Sequence, residues 1–207
     1  MGDSTKKTIK TRNVQWLGWV VVILALGGIV DSIYLADVHY KANTDPSYAS
    51  AICDVNERWG CSDVARSSWS VFLGLPIAYW GFLGYLIFGV LGVWLARSSV
   101  ERRASSAGTL LLVSAGAVVV SMTLMMISHV IIGAMCPFCA VAHGINSAMF
   151  LIAIVASRST TGLFGASRAG LGFVFQRPKR MFAMVGVPLW IAIAAIEVIP
   201  NYWIVPE

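Results

Sequence analysis

From Trp69 to Ala96 the chain carries no charged side chain, and from Ala104 to Met135 it again carries none, His129 being the one ionisable group there. Runs of that length have few options. About 20 helical residues cross a bilayer, and in lipid the backbone polar groups must be satisfied within the segment, which a helix does. The spacing predicts five membrane helices, at 14–36, 70–96, 107–133, 136–157 and 181–200. Composition agrees. The chain is 57% hydrophobic and 12% charged, against roughly 45–50% and about 25% for soluble domains. This excludes a disordered chain and an ordinary soluble enzyme. A net charge of +5 does not point to nucleic acid, because the basic residues sit in short patches between the apolar runs. The expected surroundings are a lipid bilayer.

Those patches set an orientation, since short cytoplasmic loops are enriched in Lys and Arg. Lys6, Lys7, Lys10 and Arg12 lie in the 1–13 tail. Arg97, Arg102 and Arg103 lie between the second and third runs. Arg158, Arg168, Arg177, Lys179 and Arg180 lie in the 158–180 linker. Only Lys41, Arg58 and Arg66 of the 15 basic residues remain for the 37–69 loop. The N-terminus is therefore expected in the cytoplasm, and the 37–69 loop, residues 133–136 and the 201–207 tail on the exterior. The first run has a basic flank but no A-x-A-like cleavage site after it, so it reads as a retained helix. The linker, rich in Gly, Ser and Arg, reads as a flexible connection.

All four cysteines, Cys53, Cys61, Cys136 and Cys139, fall on the expected exterior side, where compartments are oxidising. The first pair brackets the polar stretch DVNERWG. The second is Cys136-Pro137-Phe138-Cys139, at the start of the fourth run. A helix N-terminus has free N–H groups and a partial positive charge, which favour a thiolate. Proline suits the first helical position. Cys136 is thus expected at the cap and Cys139 a turn deeper. His143 and Asn146 follow Cys139 at i+4 and i+7, on the same face, and polar residues inside membrane helices mark functional sites. Two structural disulfides would also account for the cysteines. Zinc fits less well, because the eight-residue offset of the first pair is loose and the second pair opens a buried helix; no metal is expected. Asp31 and Glu197 lie near span ends and read as reaching water.

The stretches CDVNERWGCSDV at 53–64, SSW at 67–69 and CPFCAVAHGIN at 136–146 resemble the vitamin K epoxide reductase family, in its bacterial, quinone-linked, disulfide-forming branch. The order is a loop pair after the first span and then C-x-x-C at the fourth. The likeness covers about 14–157. It implies an all-α membrane protein: a four-helix bundle around a quinone (menaquinone or ubiquinone), an exterior cap loop at 37–69 and a fifth, peripheral membrane helix at 181–200. It implies that Cys53 and Cys61 shuttle electrons and that Cys136 and Cys139 form the active-site pair. It places Ser67 and Asn146, with His143, as quinone-binding or relay candidates. Two departures stand out. His143 occupies the place of a tyrosine in vertebrate members, and LGLPIAYWG at 73–81 lacks their naphthoquinone-contacting asparagine.

The implied activity is that of a multi-pass plasma-membrane thiol oxidase. Electrons pass from an exterior thioredoxin-like protein through Cys53/Cys61 and then Cys136/Cys139 to the quinone, generating disulfide bonds. The alternatives are a quinone-epoxide (vitamin K epoxide) reductase of the same fold, or a non-enzymatic membrane protein with two structural disulfides.

Overall fold

The computed structural model describes residues 2–56, 58–176 and 190, with side chains for 14–56, 58–175 and 190. Apart from Trp190, the expected fifth membrane helix at 181–200 and the tail at 201–207 lie outside these residues. Helix follows helix: α1 (Gly2–Thr44), α2 (Cys61–Arg66), α3 (Ile77–Arg97), α4 (Arg103–Met126), α5 (Pro137–Thr160) and α6 (Gly162–Gln176), with strands β1 (Val71–Phe72) and β2 (Leu75–Pro76) ahead of α3. Among the described residues four segments are long and apolar enough to cross a membrane: Val14–Thr44, Ile77–Arg97, Val100–Ile132 and Pro137–Thr160. This is an all-α membrane protein.

Three boundaries differ from the sequence expectation, each for a local reason. Helix α1 continues from the membrane run to Thr44, tied by an Asp37–Lys41 ion pair one turn apart (2.8 Å). It stops where Pro46 disfavours helix for Asp45 and the Asp45 carboxylate accepts the Ser47 N–H at 2.9 Å. The second span begins at Ile77 rather than at residue 70, because β1 and β2 pair antiparallel around Leu73 and Gly74, both with positive φ (52° and 80°). Two such residues make the tight hairpin turn. Residues 162–176, read as flexible connection, form α6, which packs on α4 with Gly108 and Gly170 backbone to backbone. A Cβ on Gly108 would sit 1.7 Å from the Ala166 carbonyl oxygen.

The core runs between α1, α3, α4 and α5 and is filled by Val21, Leu91, Leu95, Leu110 and Met149, while Ile23, Leu26, Val30, Val119 and Leu151 remain exposed. Exposed apolar side chains on such helices are a lipid-facing surface, and contact between helices in lipid depends on close packing of small residues. α1 and α3 meet at Gly18 and Gly92. A Cβ on Gly18 would lie 2.5 Å from the Ala96 nitrogen, whereas Gly27 has nothing within 4 Å. Gly18→Leu should therefore force α1 off α3 and lower the melting temperature in detergent, with a cost of about 1–3 kcal/mol or more for overpacking. Gly27→Ala should leave it unchanged. Equal melting of the two variants would contradict this packing.

Candidate active site

Two disulfides meet at one end of the bundle. Cys53 bonds to Cys61, with Cα atoms 5.5 Å apart, and Cys136 bonds to Cys139, at 5.1 Å. The Cys61 Sγ touches the Cys136 Sγ at 3.2 Å across 75 residues of sequence. Cys53, Cys61 and Cys136 are 0%, 2% and 4% exposed, packed with Val38, Tyr34, Tyr48 and Phe138.

The backbone explains the meeting. Trp59 pairs with Met135 as a short parallel bridge: Met135 N–H donates to the Arg58 carbonyl at 2.8 Å, and Gly60 N–H donates to the Met135 carbonyl at 3.0 Å. Cys61 and Cys136 follow directly, each entering a helix. Cys136 is the N-cap of α5 with Pro137 behind it, and its sulfur accepts the Cys139 N–H at 3.0 Å. Helix N-terminal N–H groups aimed at a sulfur are the arrangement that favours its thiolate form.

The loop is fastened from several sides. Asp54 accepts the Ser50 N–H at 2.6 Å and the Ser62 N–H at 3.0 Å, and also the Ser62 hydroxyl. Burial works to raise the pKa of this carboxyl, but hydrogen bonds from Ser62, Ser50 and the Cys61 N–H outweigh it and hold the group below the ordinary carboxylate range. Arg66 donates to the carbonyls of Ala42 (3.1 Å) and Tyr48 (2.7 Å). Asn43 donates to the Ala65 carbonyl at 3.1 Å, and the Tyr34 and Ser50 hydroxyls share a 2.7 Å bond.

Beneath the cysteines lies a cavity of about 340 Å3, walled by α1, α3, α4 and α5 and reached by Cys61, Cys136 and Cys139. That is within the usual range for small-molecule pockets. Its lining is mostly apolar, with a few polar groups. His143 and Asn146 both line it, as their register with Cys139 implied. The Asn146 amide donates to the Ser121 hydroxyl at 2.8 Å, and the buried His143 Nδ1 has no hydrogen-bond partner. Ser67 is not on the cavity: its hydroxyl donates to the Val64 carbonyl at 2.8 Å, because α2 ends there after six residues. Ser70 lines the cavity instead. Asp31, expected to reach water, is buried on the cavity wall, and neither carboxyl oxygen is hydrogen-bonded among the described residues. The spacing that found His143 was present here too: Asp31, Leu35, Val38 and His39 share one face of α1 and all line the cavity.

The donor set fits a quinone, a flat apolar ring with oxygen atoms at its ends. The walls are apolar, and the unpartnered Asp31 oxygens and His143 Nδ1 offer polar contacts from different helices. The sulfurs of Cys53, Cys61 and Cys136 lie within 4.8 Å of one another, near enough to share a metal ion once reduced, but each is committed to a disulfide.

Residues 19–154 match the family model described as the vitamin K epoxide reductase family. The matched stretch contains all four cysteines, the capping loop and the cavity walls, and members of the family are oxidoreductases. With four apolar helices and two disulfides in contact above an apolar cavity, the chain has a membrane disulfide and quinone redox role and belongs to the vitamin K epoxide reductase family.

Proposed function

We propose that the protein is a thiol oxidase of the bacterial kind, taking electrons from an exterior thioredoxin-like protein and passing them to a membrane quinone. The observation that carries this reading is the 3.2 Å contact between the Cys61 and Cys136 sulfurs. It sets the two disulfides in series, Cys53–Cys61 against Cys136–Cys139, with Cys139 on the cavity. Two purely structural disulfides would have no need to touch.

In this reading each cysteine has a role. Thiol–disulfide exchange needs a thiolate attacker and a leaving thiol. A donor thiolate opens the loop disulfide at Cys53 and frees Cys61. Cys61 then attacks Cys136, its neighbour, and Cys139 leaves as a thiolate facing the cavity. A bound quinone supplies the two-electron acceptor there. The donor's second thiol resolves the mixed disulfide, so the donor leaves oxidised and Cys53 is freed as a thiolate. Cys53 then closes on Cys61 and releases Cys136, which rejoins Cys139 as the pair is reoxidised. His143 and Asn146 are the donors on α5 for the quinone oxygens. Cys53 is fully buried, so a protein donor reaches it only when the 50–60 segment lifts. The docked arrangement is the one suited to internal transfer.

The test is quinol formation by protein in detergent with a short-chain quinone. Wild type should turn over with either a reduced thioredoxin-like donor or a small dithiol, and Cys53→Ala with the small dithiol alone. Absence of thiol-dependent quinol formation with both ubiquinone and menaquinone analogues would contradict the proposal.

A further inference from the structure

Among the described residues Asp31 is the one acid on the cavity wall, 7% exposed, with both carboxyl oxygens unpartnered. Its chain neighbours Val30 and Ile33 are exposed apolar side chains on the lipid-facing surface, so Asp31 and Ser32 are turned inward between them. An unpaired buried carboxyl is costly, and in a membrane segment such a residue is by default functional. Nothing among the described residues relieves it. Among the described residues the cavity is lined by no Lys or Arg. The Tyr85 ring fills the space left by Gly28, one turn before Asp31, where a Cβ would lie 2.4 Å from the ring. Tyr85 nevertheless spends its hydroxyl on the Ala142 carbonyl at 3.2 Å. The other titratable groups on the wall are His39, Tyr85, His143 and the cysteines. A carboxylate would find no cation here, whereas a carboxylic acid has an O–H to donate to a ligand oxygen.

We propose that Asp31 is a catalytic residue of the quinone site, donating its carboxylic O–H to a quinone carbonyl oxygen and protonating it as quinol forms. This rests on the quinone reading above. In each turnover the S–H bonds of Cys136 and Cys139 break and one S–S bond forms, so the pair is oxidised by two electrons. The quinone is reduced by those two electrons and two protons. Asp31 delivers one proton and takes back one of the two released by the thiols; the second thiol proton goes to the other quinol oxygen. Asp31 thus ends the cycle as it began it.

The full chain in detergent, with a short-chain quinone and a small dithiol, provides the test. Asp31→Asn keeps the shape and removes the transferable proton. Its quinol formation should fall about 100-fold or more, the scale of general acid catalysis, and Asp31→Glu should recover much of the loss. Reduction of the Cys53–Cys61 pair by the dithiol without quinone, read by thiol trapping, should stay at the wild-type rate in both variants, which also reports that they fold. Quinol formation by Asp31→Asn at the wild-type rate overturns the proposal. Infrared difference spectra give a readout independent of turnover. Quinone added to oxidised wild type should shift a carboxylic acid C=O band that Asp31→Asn lacks, and a spectrum with no such band overturns the proposal. If wild type forms no quinol, the thiol-oxidase reading has failed, and the infrared band alone decides whether Asp31 meets the quinone.

Discussion

Cys139→Ala is expected to abolish thiol-driven quinol formation, by at least about four orders of magnitude, as when the nucleophile of a catalytic unit is removed. It should also reveal the path. Without Cys139, Cys136 is left as a thiol at the α5 N-terminus, 3.2 Å from the Cys61 sulfur. Its thiolate attacks Cys61 and expels Cys53. A non-reducing peptide map of the variant should then show Cys61 linked to Cys136 and Cys53 free. Finding Cys53–Cys61 intact and Cys136 free would separate the two pairs and remove the relay.

Asp54→Ala should act through geometry rather than chemistry. The carboxylate fastens Ser50 on one side of the loop cysteines and Ser62 on the other. Hydrogen bonds to charged groups are worth about 1.5–3 kcal/mol each. Because the site is partly open to solvent, a total near 2 kcal/mol is a reasonable scale, and that lowers the docked-to-undocked ratio about 30-fold. Small thiol reagents should then reduce Cys53–Cys61 faster by about that factor, while transfer from Cys61 to Cys136 slows. Asp63→Asn, at an exposed position on α2 beside Ser62, should change neither. Acid should act in the same direction as Asp54→Ala. The Asp54 pKa is depressed in the folded loop, so its contribution is present above the ordinary carboxylate pKa and is lost as pH falls through the lower, docked value. Unchanged reduction rates in Asp54→Ala would show that the loop is held without the Asp54 carboxylate.

The parts of this site that follow from composition and spacing were legible in the sequence. Charge-free runs specify spans, and the register Cys139, His143, Asn146 specifies one face of a helix, because both are local periodicities. The capping of α5 by Cys136, with Pro137 next, was equally readable. What was not legible depends on which surfaces meet. The Trp59–Met135 bridge, which brings Cys61 to Cys136, joins two irregular segments whose sequences carry no pairing signal. Asp31 resembled an interfacial acid because its depth along α1 says nothing of which side faces the cavity. Ser67 missed the cavity because α2 is short, and its end turns that hydroxyl back onto Val64. The hairpin at 71–76 was hidden within an apolar run, since a Leu-Gly turn leaves hydropathy unchanged.

The order of oxidation tests the central claim most directly. Fully reduced wild-type protein is mixed with excess short-chain quinone, quenched at intervals, and its thiols are trapped and mapped. The serial arrangement predicts that Cys136–Cys139 closes first, that Cys53–Cys61 closes after it, and that two quinols form per chain, one for each pair. If Cys53–Cys61 closes first, or if quinone leaves both pairs reduced in folded protein, electrons do not pass from the loop through Cys139 to a quinone.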